Sequence, residues 1–289
     1  MSALPSIWGA ALWMLGTITS FALMSVSGRE LSTDLSTIQI LFWRSFVGFW
    51  IILVLVHRAG WATVKTDNLK VHVGRNLAHF AAQFCWFYAI ATIALAEVTA
   101  LEFMMPIWTA LMAALFLGES LSRYRMAAIA FGLIGTLVIV RPGFASVELG
   151  MLAALGASIG YAVGMTTARF LALRETVLPI LFYMLVLQMP LAFVMTLILD
   201  DWVWPAANKT FWVLLVGVSG MTAHFCINRA VKLAEAAAVS ILGFLRLPAM
   251  ILVGYIAYGE EPEMWLIIGS VLIVFGLYLN IQDSRAREG

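Results

Sequence analysis

Residues 82–119 read AQFCWFYAIATIALAEVTALEFMMPIWTALMAALFLGE, and residues 223–260 read AHFCINRAVKLAEAAAVSILGFLRLPAMILVGYIAYGE. Ala82-Gln83-Phe84-Cys85 with Ala89 returns as Ala223-His224-Phe225-Cys226 with Ala230, 141 positions further on. Leu95-Ala96-Glu97 returns as Leu233-Ala234-Glu235 once a three-residue gap is allowed, Pro106 returns as Pro248, and Gly118-Glu119 returns as Gly259-Glu260. Gly135 and Gly276 each lie 17 residues beyond those glycines, and upstream Ile40-Leu41-Phe42 corresponds to Ile180-Leu181-Phe182. The common order and near-constant offset mark an internal duplication.

The solvent of the duplicated unit follows from composition. Apolar residues make up 63% of the chain, charged residues 11%, and the mean hydropathy is +0.97. A soluble domain has about 45–50% apolar and about 25% charged residues, so this chain cannot cover a water-facing surface and lipid must surround most of it. A net charge of +1 with no basic patch argues against nucleic-acid binding. Cys85 and Cys226 both lie in apolar runs and read as small buried hydrophobes. The first apolar segment is too long for a cleavable signal peptide and lacks a basic flank.

Ten segments are long and apolar enough to cross a bilayer: 6–28, 36–56, 71–94, 97–118, 124–140, 149–169, 177–199, 210–231, 236–258 and 263–281. The gaps carry turn and charge signals, such as Arg141-Pro142-Gly143 and Gly259-Glu260-Glu261-Pro262. The expectation is one transmembrane domain over 1–289, with repeat one at about 6–143 and repeat two at about 147–282. Five crossings is an odd number, so the second unit must enter the membrane from the opposite side. The predicted fold is an all-α membrane protein of ten transmembrane helices arranged as two inverted five-helix repeats. With an inside N-terminus, the inner connections hold twelve basic residues: Arg58, Lys65, Lys70, Arg75, Arg123, Arg125, Arg169, Arg174, Arg229, Lys232, Arg285 and Arg287. The outer ones hold three, Arg29, Arg141 and Lys209, so both termini are expected on the cytoplasmic side of a bacterial inner membrane.

Inverted repeats suit alternating access, because two like halves can exchange shapes; solutes in such proteins bind near the bilayer midplane, between the repeats. The pattern also resembles a known family. Pro106, Gly118-Glu119, Gly132, Gly135 and Arg141-Pro142-Gly143 in the first unit, with Pro248, Gly259-Glu260, Gly269 and Gly276 in the second, are similar to the ten-helix, EamA-type branch of the drug/metabolite transporter superfamily, and within it to the YddG-type amino-acid exporters. The resemblance spans about 6–281 and implies a metabolite carrier, with export of amino acids as the leading expectation. The second unit lacks the Arg-Pro-Gly ending, which assigns that motif to a connection.

Polar and charged residues inside membrane helices are costly and face protein or water, so they define the candidate site. Helix 3 carries Asn76, His79 and Gln83 on one face, followed by Trp86-Phe87; helix 8 carries Gly217, Gly220, His224 and Asn228, with Gln83 and His224 as repeat partners. Interhelical hydrogen bonding is the plain alternative to solute contact for these groups. Glu102 and Arg246 lie deep in helices 4 and 9, where three roles fit equally: contact with a charged solute, pairing with each other across the pseudo-twofold, or proton carriage by Glu102. Arg44 reads as a packing partner for a carbonyl or carboxylate. Trp86, Met105, Trp108, Tyr161 and Phe244 are the apolar lining candidates, although such residues are mostly packing. Pro106 and Pro248 each delete a backbone hydrogen bond and are candidate hinges that bend their helices. Trp202, Trp204 and Trp212 read as an interfacial belt, and Gly132, Gly135, Gly269 and Gly276 as close-packing positions on peripheral helices.

The rival classes fare poorly. Asp34, Asp67, Asp200, Asp201 and Asp283 all fall outside the spans, which argues against an aspartyl protease; His57, His72, His79 and His224 are scattered, which argues against zinc; and no Gly-Lys-Ser/Thr phosphate loop occurs. No enzyme activity, cofactor or metal is expected. The expected partners are the bilayer and a small solute, an amino acid first, with the chain acting as a monomer. The competing assignments are uptake of a nucleoside-type metabolite such as S-adenosylmethionine, and a non-transporting structural component of the membrane.

Overall fold

A computed structural model describes residues 7–117, 122–143, 146–172, 174–233, 239 and 242–288. Its helices are α1 (Ile7–Leu31), α2 (Thr37–Ala59), α3 (Leu69–Thr92), α4 (Leu95–Glu102), α5 (Met105–Leu117), α6 (Arg123–Val140), α7 (Leu149–Ala172), α8 (Val177–Leu199), α9 (Thr210–Leu233), α10 (Arg246–Tyr258) and α11 (Met264–Glu288). Helices α4 and α5 share the fourth crossing, and α10 is the second half of the ninth. Four stretches are long and apolar enough by themselves to span a membrane: Trp8–Leu31, Thr37–Ala59, Val177–Leu199 and Ala207–Ile227. Helix α3 is as long but carries Arg75, Asn76, His79 and Gln83, and all four turn into the bundle. The chain is a multi-pass membrane protein whose polar helix faces turn toward one another.

The duplication is visible in how the helices pair. Helix α1 lies on α9 while its counterpart α7 lies on α3; α2 packs on its own counterpart α8, α6 on α11, and α4 on α10. Matching atoms meet at the two crossed contacts. A Cβ added to Gly16 would sit 3.0 Å from Cys226 Sγ, and one added to Gly156 would sit 3.6 Å from Cys85 Sγ. Both cysteines are therefore apolar packing atoms against a glycine of the other repeat's first helix.

Helices α6 and α11 approach backbone to backbone. A Cβ on Gly135 would fall 2.6 Å from the Gly269 carbonyl oxygen, and one on Gly276 would fall 2.8 Å from that of Ala128. With glycine at these positions and Ile139 and Ile273 packed against them, van der Waals contact replaces the hydrophobic drive that lipid cannot supply. Their far faces expose Leu133, Ile134, Leu137 and Val271, as the periphery of a lipid-embedded bundle requires. Trp202 and Trp204 pack as tilted rings against Trp43, at 6.1 and 5.7 Å between ring centroids, at the end of the bundle where α8 turns toward α9.

The fourth crossing departs from expectation. A single helix bent at Pro106 is predicted there, but the chain breaks into two helices. A turn at Phe103-Met104 separates α4 from α5, and Phe244-Leu245 makes the same turn before α10. Each break falls just ahead of the proline. Pro106 thus occupies the first turn of α5 and Pro248 the first turn of α10, where the missing N–H deprives no helical carbonyl of a partner.

Candidate solute-binding site

The two breaks bring the strongest charges of the membrane interior face to face. Glu102 ends α4 and Arg246 begins α10. Arg246 Nη1 donates to Glu102 Oε1 at 2.8 Å and Nη2 donates to Oε2 at 2.6 Å, a bidentate fork. Trp86 Nε1 of α3 donates to the same Oε2 at 2.9 Å, so the carboxylate accepts three bonds. The guanidinium also lies over the Phe21 ring of α1, 4.3 Å from its centroid, and Phe103 meets Phe244 edge-on at 5.7 Å beside the two turns. The pair's side chains are only 10% and 12% exposed, and the fork joins one repeat to the other.

A second polar group occupies the face of α3 that carries Arg75, His79 and Gln83 in steps of four. Arg44 of α2 donates through Nη1 to Gln83 Oε1 at 3.2 Å. Gln188 of α8 approaches His79 Nδ1 at 3.1 Å and donates to Asn76 Oδ1 at 3.3 Å. His79 meets Tyr161 of α7 at 5.5 Å and His224 of α9 at 6.0 Å between ring centroids. Small residues of α9 create the room: a Cβ on Gly220 would lie 3.1 Å from Arg44 Nε, and one on Gly217 would strike Val47. Helices α2, α3, α7, α8 and α9, drawn from both repeats, therefore surround one polar cluster.

Each end of the bundle has its own clasp. At the end where α1 finishes, Arg29 pairs with Glu260, donates to the carbonyls of Ile90 and Ile93, and rests over the Tyr258 ring. Gly259, at φ +66, closes α10 in the left-handed conformation that favours glycine, and the chain then turns so that Glu260 Oε2 accepts the first N–H of α4, that of Leu95, at 2.9 Å. The Gly-Glu motif of the second repeat is thus a helix stop followed by a helix cap. At the opposite end, Glu175 accepts hydrogen bonds from Thr66 and Asn68 and approaches His72 Nε2 at 2.8 Å. Burial pushes the Glu175 carboxyl up, but the bonds from Thr66, Asn68 and His72 together outweigh it and hold the group below the usual carboxylate range.

The structure brings His79, Gln83, Tyr161 and His224 together in one cluster, and Trp86, Glu102, Phe244 and Arg246 in the other. Met105 is half-buried in the first turn of α5. Trp108 hydrogen-bonds Ser158 Oγ at 2.8 Å, which ties α5 to α7. The side chain of Asn228 lies outside the described residues, as do Gly118 and Glu119. Arg141 turns at a positive φ beyond α6 and pairs with the exposed Glu263, so Arg-Pro-Gly belongs to a connection. Arg44 meets a carbonyl oxygen, that of the Gln83 side-chain amide. Arg75, counted among the inner connections, is in fact buried within α3. Its spacing of four from His79 and eight from Gln83 puts it on the polar face. Sequence reasoning also passes over Gln188, though it is the one amide inside the strongly apolar α8. Among the described residues no three His, Cys, Asp or Glu side chains stand close enough to hold a metal ion.

An inverted bundle whose broken helices join opposite charges beside a shared polar cluster defines a small-molecule membrane transporter. Comparison with known proteins agrees. Residues 8–141 and 148–282 each match the EamA-like transporter family, and the chain belongs to that family, within the drug/metabolite transporter superfamily. It is 30% identical to the pseudopaline exporter of Pseudomonas aeruginosa, over 97% of both chains. It is 28% identical to the riboflavin transporter of Brucella anthropi, over 94% of this chain and 98% of that one. With the S-adenosylmethionine uptake transporter of Rickettsia prowazekii it shares 23% identity, over 94% and 92%. A solved crystal structure with 19% identity has the same fold, with a TM-score of 0.67 over 98% of this chain and all of that one.

Proposed function

We propose that this chain is a secondary transporter that moves a small organic metabolite, an amino acid or a related compound, across the bacterial cytoplasmic membrane by alternating access, in the direction of export or exchange. The two repeats, about 6–143 and 147–282, act as the exchanging halves, both termini are cytoplasmic, and the chain works as a monomer. The observation that carries this reading is the Glu102–Arg246 fork, which couples the two broken helices across the repeats one turn from Pro106 and Pro248. A buried pair of opposite charges is a device that a zwitterionic solute can open, because its ammonium and carboxylate can replace each partner in turn. Pro106 and Pro248 are then hinge positions, and His79, Gln83, Trp86, Tyr161, His224, Phe244, Met105 and Trp108 line the solute's path. The relatives' different cargoes support a carrier scaffold that is reused for unlike metabolites.

The test is counterflow in proteoliposomes with labelled amino acids, nucleosides and S-adenosylmethionine. Exchange of amino acids, reduced in Glu102→Gln and Arg246→Gln, is the expected outcome. Exchange confined to S-adenosylmethionine or nucleosides would move the chain to the uptake class, and the absence of exchange for every solute would overturn the carrier reading.

A further inference from the structure

Among the buried ion pairs, Glu102 is fully engaged by Arg246 and Trp86, yet two more guanidiniums lie in the bundle without a carboxylate. Arg44 is 3% exposed and Arg75 is 6% exposed. The ion pairs among the described residues are Arg29–Glu260, His72–Glu175, Arg141–Glu263, Lys209–Asp34 and Arg246–Glu102, and neither Arg44 nor Arg75 takes part in any. Their hydrogen bonds go to neutral amides: Arg44 to Gln83 Oε1 at 3.2 Å, and Arg75 to Asn76 Oδ1 at 3.5 Å, the outer limit of such a bond. Each keeps a buried Nε with no acceptor. A guanidinium holds its proton under all ordinary conditions, so it cannot escape burial by becoming neutral. Leaving a buried charge unpaired is strongly unfavourable, and water or a counterion must answer it.

We propose that Arg44 and Arg75 form an anion-binding subsite that takes the carboxylates of a net-negative metabolite, of the acidic amino acid or dicarboxylate class. The surroundings fit that ligand. The two guanidiniums come from different helices and reach the cluster around His79 through hydrogen-bonded amides, Arg44 through Gln83 and Arg75 through Asn76, whose Oδ1 also accepts from the Gln188 that approaches His79. Gly220 keeps a side chain of α9 away from the Arg44 guanidinium, and Gln188 Oε1 is a further buried polar atom without a partner. Two guanidiniums, each with a buried Nε that has no acceptor, match two carboxylates better than one. The inference rests on the carrier reading and names its substrate class.

The test uses purified full-length protein in detergent, with L-glutamate, succinate, L-glutamine and inorganic phosphate as probes, read by tryptophan fluorescence and melting temperature. Glutamate and succinate are expected to bind, and glutamine to bind at least about tenfold more weakly. Arg44→Gln and Arg75→Gln should each weaken glutamate binding by about tenfold or more, while Arg44→Lys and Arg75→Lys, which keep the charge, should retain part of it. Arg141→Gln, remote from the cluster, should bind as the unaltered protein does. Equal binding of glutamate and glutamine, no binding of either dicarboxylate, preference for phosphate alone, or full glutamate affinity in both folded Gln variants would each overturn the proposal. Counterflow separates the two readings: exchange of neutral amino acids without binding of glutamate or succinate would leave the carrier and remove the subsite, whereas selective glutamate binding without exchange of any solute would do the reverse.

Discussion

The Glu102–Arg246 fork should behave as one energetic unit, and a double-mutant cycle can measure it. Two charges about 4 Å apart at an effective dielectric constant of about 20 attract by about 4 kcal/mol. Side-chain exposures of 10% and 12% leave little solvent to screen that attraction. Removing either partner alone leaves the other charge buried and unpaired, which typically destabilises by about 3–5 kcal/mol. Replacing both, as Glu102→Gln with Arg246→Gln, leaves two amides that can hydrogen-bond each other, so the double variant should be more stable than the sum of the single losses by about 2–4 kcal/mol. Trp86→Phe adds a third arm. The indole N–H donates to Glu102 Oε2 at 2.9 Å, so its loss should cost about 1.5–3 kcal/mol when Glu102 is present and less when it is Gln. The assay is reversible unfolding in mixed micelles, followed by tryptophan fluorescence. Losses that add to within about 0.5 kcal/mol would refute the reasoning, because independent sites add and coupled ones do not.

Three further outcomes are expected. Gly135→Ala should destabilise by about 1–3 kcal/mol, since the new Cβ falls 2.6 Å from the Gly269 carbonyl oxygen, whereas Gly74→Ala, with nothing within 4 Å, should be neutral or stabilising; thermal melting in detergent compares the two. Glu175 has a carboxyl held below its ordinary range, so its contribution is present above the unfolded value, about 4.3, and is lost as pH falls through the lower folded value. Glu175→Gln should therefore melt below the unaltered protein at pH 7, with the gap closing as pH drops from about 5 toward about 3. Single cysteines at Lys65 and Asn208, in a Cys85→Ala/Cys226→Ala background, should react with an impermeant maleimide from opposite sides of oriented vesicles; labelling of both from one side would contradict the odd crossing count per repeat.

Much of this architecture is legible in the order of the amino acids. The duplication, the crossings and their inversion follow from hydropathy and a constant offset, because a bilayer leaves helical segments little freedom. Gly259-Glu260 and the α6–α11 glycines are equally legible as helix stop and seam, since only those residues satisfy a left-handed cap or a backbone contact. The breaks at Phe103-Met104 and Phe244-Leu245 are not, because a proline in an apolar run is consistent with a bend as well as with a new first turn. Pairing is harder still. Glu102 and Arg246 stand out by depth alone, but nothing in one dimension joins residues 144 positions apart. Arg75 is hidden by its nearness to a helix end, where basic residues ordinarily mark topology, although its place in the 75, 79, 83 series gives its direction.

The scaffold is twofold but its chemistry is not. By the repeat offset of 140–141 positions, Arg44 corresponds to Met184, Arg75 to Val216, Arg246 to Met105 and Glu102 to Gly243. Met184 and Val216 are buried and apolar, and Met105 is a half-buried apolar residue. Each of these four interior charges therefore stands opposite a neutral counterpart in the other repeat, while the packing glycines and the cysteines keep their symmetry. The elements that the proposed cycle would exchange are duplicated, and these four charges occur once. In a carrier of that kind a charged solute would have one preferred orientation, and the two access states would differ in how its electrostatics are met. Unequal populations of those states would then follow from side chains alone, on a backbone that by itself would treat the two sides of the membrane alike.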